Sequence, residues 1–406
     1  MTFDVKKIRK DFPILAQKIH GHPLAYLDTG ASAQKPRAIM DAMTHFMEND
    51  YANIHRGVHE LSQRATNMYE AVRPRVQRFI NAEHEEEIVF THGATEAVNL
   101  VAQTWGRTFL KAGDEIVITA LEHHANIVPW QMLRTHIGIV LRVVPVMPTG
   151  EVLIKDVKAA LSPKTKLVAF AHVSNVLGTI LPAKEIIALT HKAGALALVD
   201  GAQSINHMPV DVRDLDADFF VFSGHKIYGP TGIGVLYGKR DVLKSMPPYQ
   251  GGGDMIASVT FAETTFKEPP HRFEAGTPPI TEVIGLGAAI DYVSAIGMQN
   301  IADHEDKILS YATDKLSPFE GLRIVGTAPK KSGIVSFVMA QAHPHDIGTI
   351  LDRFGVAIRA GHHCAQPLME HLGLVATARA SFGLYTNGRD IDALVEAVKK
   401  VQEIFG

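Results

Sequence analysis

The chain has 406 residues, 46% of them hydrophobic and 20% charged, with a formal net charge of −3. That length suggests about two domains, and so small a net charge gives no electrostatic case for nucleic acid or an anionic membrane as a partner. The single cysteine excludes an internal disulfide and a Cys-based zinc or iron–sulfur site within one chain.

The N-terminal stretch MTFDVKKIRKDFPIL mixes charges with apolar residues and holds no apolar stretch of a secretory signal. With the lone cysteine it points to a reducing compartment, the cytoplasm. From about residue 85 to 240, short apolar runs alternate with helical patterns. Strands are expected at 87–90, 115–120, 141–146, 166–173, 196–200, 219–223 and 234–238, most of them near-continuously apolar, as strands covered on both faces are. Helical segments such as 93–105 and 184–193 lie between them. Strand–helix alternation predicts a mainly parallel α/β sheet. YQGGGDMI and KEPPHRFEAGTPPI punctuate its end, a long helix is expected at 281–297, and a mixed α/β portion follows.

Open α/β sheets bind ligands at the carboxyl ends of their strands, and several polar residues fall there. Asp200 ends LALVDGAQS, where a carboxylate either holds a protonated ring nitrogen or caps a turn. Lys226, in SGHKIYGPTGIG, is either a Schiff-base lysine in a dry cationic cleft or a solvated surface residue. FTHGATEAVNL runs from a strand through Gly93 into a helix beginning near Thr95; its first amides suit a phosphate, or the glycine is only a turn. The stretch is neither a Walker loop nor G-x-G-x-x-G. His123, in LEHHANIVPW, either stacks on an aromatic cofactor or is structural. Taken together, a strand-end Asp, a lysine 26 residues later, a phosphate-binding helix start and a His resemble a pyridoxal phosphate site. Cys364 stands in IRAGHHCAQPL; Arg359, His362 and His363 are candidate cationic neighbours that would lower its pKa. The alternative for a lone cysteine is a buried small hydrophobe.

These motifs, with YLDTGASAQKP, YANIHRGVHELS, HVSNVLGT, RFEAGTP and ARASFGLYTN, run essentially end to end. The chain resembles the SufS-type (group II) cysteine desulfurases, class V members of the fold-type I pyridoxal phosphate enzymes. The resemblance implies a large domain at 21–295 with a mainly parallel seven-stranded sheet. A smaller α/β domain at 296–406 would carry the catalytic cysteine, and an N-terminal segment at 1–20 would pack with it. It implies that Lys226 binds the cofactor as a Schiff base and moves the substrate's Cα proton. Asp200 would pair with the ring nitrogen, Gln203 would donate to the ring hydroxyl, and His123 would stack on the ring and act in catalysis. Thr95, Ser223 and His225 would bind the phosphate, as would the backbone of Ala94, where many relatives carry a second hydroxyl. Thr277 would reach the phosphate of the neighbouring subunit in a homodimer. Asn175, Arg379 and Arg359 would bind the substrate, Arg379 by a bidentate grip on its carboxylate.

The implied reaction converts L-cysteine to L-alanine with a persulfide on Cys364, supplying sulfur for iron–sulfur cluster assembly through the SUF system. The implied acceptor is a SufE-like carrier or a SufU-like zinc protein, with His343 and His345 as candidate zinc contacts. Selenocysteine lyase activity is an expected side reaction. The competing readings are a dedicated selenocysteine lyase or related pyridoxal phosphate lyase, a non-catalytic sulfur carrier, and a His-based metal protein suggested by HPHD; for the last, no second ligand set has recognisable spacing.

Overall fold

The computed structural model describes residues 3–405; Met1, Thr2 and Gly406, at the ends of the expected N-terminal segment and C-terminal domain, lie outside the described residues. The large sheet consists of β1 (Ile88–Thr91), β2 (Glu115–Thr119), β3 (Val140–Val144), β4 (Thr165–Ala171), β5 (Leu196–Asp200), β6 (Phe219–Ser223) and β7 (Gly234–Gly238). Their spatial order is β1-β7-β6-β5-β4-β2-β3. Neighbours from β6 through to β3 are parallel, whereas β7 runs antiparallel to both β1 and β6. Every strand lies within two residues of its expected place because continuous Val, Ile and Phe runs can be buried on both faces only in such a sheet. β3 departs from that pattern: it is an edge strand, paired on one side only, and leaves Val140 and Val143 43% and 54% exposed.

Helices cover the sheet. α1 (Arg37–Asn49) packs along α4 (Ile280–Ile296); α2 (Ala94–Val101) follows β1, and α3 (Ala183–Lys192) precedes β5. The helix expected over 93–105 is α-helical only to Val101 and then widens into a π-turn at Ala102–Gly106. α4 is largely covered, with Ile280, Val283, Leu286, Ile290 and Val293 all buried, while Asp291 and Ser294 near its C-terminal end are exposed.

After α5 (Met298–Leu316) the chain builds a second, antiparallel sheet. Its strands are β8 (Leu322–Val325), β9 (Ile334–Met339), β10 (Arg359–Gly361) and β11 (Thr377–Ser381), ordered β8-β9-β11-β10. α6 (Pro344–Arg353) and α8 (Gly388–Phe405) close a separate core around Phe337, Leu351, Leu394 and Val398, while the short α7 (Gln366–His371) buries Leu368 and Met369 in the core of the large sheet. The chain's first residues touch both portions, with Ile8, Phe12 and Leu15 in the core of the large sheet. Arg9 pairs with Asp390 of α8 at 2.8 Å, Phe12 packs edge-on against Tyr228, Tyr292 and Tyr385, and Ala25–Tyr26 pairs in parallel with Val356–Ala357. Among the described residues no single helix is long and apolar enough to cross a membrane.

Candidate active site

The carboxyl ends of β1, β4, β5 and β6 open onto one cavity of about 780 Å³, part of it open to solvent, into which His123, Asp200, Lys226, Arg379 and Cys364 all face. Asp200 is the last residue of β5. Its Oδ1 accepts from the Ala202 N–H at 2.9 Å, and burial pushes its pKa up. Lys226 ends the turn Gly224–Lys226 that leaves β6. Burial is the main cause that brings its ammonium down to about 8, against the opposing pull of Asp200. His123 accepts the Ala125 N–H on Nδ1 at 3.1 Å, so its neutral ring carries the proton on Nε2. Burial, then the charges of Lys226, His124 and Arg379, lower His123 to about 4 and keep it neutral at physiological pH.

The helix start that faces the cavity is built tightly. Gly93 caps α2 at φ 147°, a region open to glycine, and a Cβ on Gly234 of β7 would lie 2.4 Å from the Gly93 Cα. Thr95 and Ser223 line the cavity. The Ala94 N–H, expected to serve a phosphate, donates to Ser223 Oγ at 2.9 Å instead. His225 also lines the cavity and is lowered to about 4 by burial, then by Lys226 and Lys35. Gln203 donates its Nε2 to the Gly30 carbonyl at 2.8 Å and leaves Oε1 buried without a partner, so its free atom is an acceptor where the resemblance implies a donor.

On the other wall, Arg379 of β11 is 2% exposed. It donates Nη1 to the Asn175 carbonyl at 2.7 Å and Nη2 to Asp28 Oδ1 at 3.1 Å, while Nε has no partner. The sheet register sets Arg359 directly opposite Arg379, and Arg359 donates Nε to the second Asp28 oxygen at 3.2 Å. Asn175 spends its side-chain Nδ2 on the His363 carbonyl at 2.7 Å.

Cys364 is exposed, in the four-residue loop 362–365 between β10 and α7. His363 and Cys364 both take left-handed backbone conformations, φ 53° and 54°, which side chains with a Cβ resist. Contacts from the large sheet fix that shape. The His124 N–H donates to the Cys364 carbonyl at 2.7 Å, and the His124 Nε2 accepts from the Gln366 N–H at 3.1 Å. His363 turns inward onto Thr377, and burial lowers it to about 3; it is neutral and does not supply the positive charge expected beside the thiol. His362 is exposed. The charges that interact with Cys364 from within the cavity are those of Lys226 and Arg379.

Thr277 is exposed and lines a different cavity, with His92, Glu96 and Gln250. His343 and His345 are exposed at the start of α6, where the His343 Nδ1 accepts from the His345 N–H at 3.2 Å and caps the helix. Two residues of the site had no sequence signal of their own. His124 is the second letter of a His pair, and Asp28 sits in a DTG stretch that reads as a turn.

The family model for aminotransferase class-V proteins matches residues 25–394. A cysteine desulfurase of Synechococcus elongatus is 51% identical over 98% of this chain, which spans only 64% of that relative's length. A cysteine desulfurase of Pectobacterium atrosepticum is 50% identical with both chains covered in full. Among solved structures, the cysteine desulfurase CsdA of Escherichia coli superposes with a TM-score of 0.93 at 38% identity, again over 100% of both chains. With half of its residues shared along the whole of a curated relative, and its fold shared along the whole of a solved one, this chain belongs to the aminotransferase class-V family, among the cysteine desulfurases.

Proposed function

We propose that the protein is a pyridoxal phosphate-dependent cysteine desulfurase that moves the sulfur of L-cysteine onto Cys364 and releases L-alanine. The observation that carries this reading is that a lysine with a depressed pKa and the chain's only thiol line one cavity.

The residues present fit the cofactor. Lys226, Asp200 and the orphaned Gln203 Oε1 face the same space, which Thr95, Ser223 and His225 bound on the α2 side. Bound there, pyridoxal phosphate supplies the electron sink for charge developing at the substrate's Cα. Asp200, buried at the end of β5, would hold the proton of the ring nitrogen. Lys226, brought down to about 8 chiefly by burial, loses its proton far more readily than an ordinary lysine, so it can attach the cofactor and then carry the Cα proton. His123, neutral with its proton on Nε2, faces the cavity as a donor. Arg379 lines the same cavity and would bind the substrate carboxylate, although its one unpartnered nitrogen, Nε, is buried. The Cys364 sulfur attacks as thiolate on the substrate sulfur. The new S–S bond forms as the substrate C–S bond breaks, and the carbon left behind takes up protons to end as L-alanine.

The proposal extends to a homodimer. The exposed Thr277 would meet the partner subunit's site, and the hairpin Ile256–Val259 and Thr264–Phe266 holds the exposed Val259, Phe261 and Phe266 as apolar surface for contact. Because the cysteine loop is short and pinned, the acceptor must come to it: a SufE-like carrier, or a SufU-like zinc protein met by His343 and His345 on α6, which packs beside β10. The lone cysteine suits a cytoplasmic setting, with iron–sulfur cluster assembly as the sulfur's use.

Mass spectrometry of the holoenzyme after addition of L-cysteine tests the core reading. The expected result is one added sulfur on the peptide holding Cys364, with L-alanine formed in equal amount. L-Alanine formation with an unmodified Cys364 would refute it.

A further inference from the structure

The stretch TGASAQKP borders the cavity at Gly30 and Ala31 and carries a cation, Lys35, close behind it. Lys35 is half-buried and folds its ammonium back onto oxygens. It donates to Ser32 Oγ at 3.4 Å, to the Ala33 carbonyl, and to the His225 carbonyl at 3.3 Å. An ammonium has three donors, and these three oxygens take them all. None of them is a carboxylate. Burial alone lowers Lys35 to about 8, with no negative neighbour to oppose it. A cation drawn out of water without a countercharge is costly, and the anion expected in this part of the molecule is a phosphate bounded by His225. His225 joins the two. Its carbonyl also accepts the Ala33 N–H at 3.0 Å, so the stretch is fastened twice to the turn that leaves β6. Its ring Nδ1 lies 3.4 Å from Ser32 Oγ. Lys35 can only donate, so Ser32 Oγ accepts from it and turns its own proton toward Nδ1. The ring, which burial keeps neutral, then carries its proton on Nε2, an atom with no partner among the described residues.

We propose that Lys35 is a positioning residue for the cofactor phosphate: by way of Ser32 it fixes the His225 tautomer whose Nε2–H serves as a phosphate donor. The inference rests on the reading of His225 as part of the phosphate site. His225 lines the cavity and Lys35 does not, so Lys35 acts through the ring and not by contact. Without the ammonium, Ser32 Oγ is free to accept from the ring instead of donating to it. His225 can then hold its proton on Nδ1 and turn a lone pair on Nε2 toward the phosphate oxygens, where it repels them. One chain of donors, Lys35 to Ser32 to His225, thus decides whether the last member attracts or repels an anion.

The test is the preference for pyridoxal phosphate over pyridoxal, as the ratio of their dissociation constants on the full chain stripped of cofactor, read from the absorbance of the Schiff base. Pyridoxal reports the ring and aldehyde alone; its phosphate ester adds the group in question. In K35M, which keeps the length of the side chain without its charge, the preference should fall about tenfold, the worth of one hydrogen bond to a charged group. S32A, which removes the relaying hydroxyl and keeps the cation, should lower it as well. In K35R, which keeps a donor-only cation, most of the preference should remain. K35M/H225A should stay within about twofold of H225A, since the ring through which Lys35 acts is gone from both. A K35M protein that melts like wild type and keeps the wild-type preference overturns the inference. So does one that loses affinity for both aldehydes alike, the mark of a loosened loop, and so does a double variant far below H225A. S32A with the wild-type preference overturns it too, and this arm stands even where K35M fails to fold. A wild-type chain that takes pyridoxal as tightly as its phosphate overturns the underlying reading of the phosphate site as well, whereas one that prefers the phosphate separates the two.

Discussion

Glu274→Gln should cost the protein more than any other single uncharged substitution near the Thr277 segment. Arg73 is 3% exposed and Glu274 7%. The guanidinium donates twice to Glu274, at 2.8 and 3.0 Å, once to the Ile88 carbonyl at 2.8 Å and once to Glu70 at 3.2 Å, and lies 4.6 Å over the Phe90 ring. Glu274 Oε1 also accepts the Phe90 N–H at 2.8 Å. Glutamine keeps the shape and can still accept from Phe90, but it leaves a buried cation without its countercharge. Removing one partner of a buried pair costs about 3–5 kcal/mol. Glu70 stays in place, so the lower end applies, about 3 kcal/mol. At about 2 cal/mol/K per residue, that is a fall in Tm of about 4 °C for a cooperative unit of this size. Differential scanning calorimetry of the holoenzyme is the assay, and the decisive arm is R73M/E274Q. It removes the charge yet keeps an acceptor for Phe90, so most of the loss should be recovered. A double variant that melts below E274Q would show that the cost was packing and not an unpaired charge.

Other expectations concern the chemistry. Lys226→Ala should abolish turnover, and borohydride reduction of the wild type should fix the cofactor on the peptide holding Lys226; recovery on another lysine overturns the assignment. Because burial brings Lys226 down to about 8, the rate at which the cofactor-free enzyme takes up cofactor should climb with pH and level off above about 8; a rate that falls across that range refutes the neutral-amine argument. Cys364→Ala should lose L-cysteine desulfuration but keep substantial L-selenocysteine cleavage, since selenium leaves more readily than sulfur; equal loss of both would give Cys364 another role. His124→Ala should slow persulfide formation about 2–10-fold, the worth of one hydrogen bond, with the cofactor spectrum unchanged and His124→Gln restoring the rate; a rate equal to wild type shows that the ring contact holds nothing.

What the sequence displayed plainly was whatever depends on neighbours along the chain. Most strands of the large sheet are near-continuous apolar runs, and Asp200 ends one of them while Lys226 closes the turn that leaves the next. Residues whose meaning depends on distant partners were opaque. His362 and His363 are the same letter, yet one is exposed and the other buried on Thr377, because the left-handed backbone turns the second inward. Asp28 finds Arg379 across 351 positions, and nothing in a local pattern marks that pairing. Ala94 was expected to offer its N–H to a ligand; the Ser223 hydroxyl, 129 residues away, takes it.

The cavity has walls drawn from Gly30 at one extreme and Arg379 at the other. A ribosome adding 5–20 residues per second completes a chain of this length in roughly 20–80 s, and the wall bearing Arg379 and Cys364 emerges only in the final moments. Until then Lys226 can already stand at the end of its strand, with nothing opposite it. A chain that stalls before β11 therefore already has Asp200, Gln203, Thr95, Ser223 and His225 around Lys226, but lacks the side that would hold and desulfurate a substrate. Truncation from the C-terminus should accordingly remove substrate binding and sulfur transfer before it removes the large sheet.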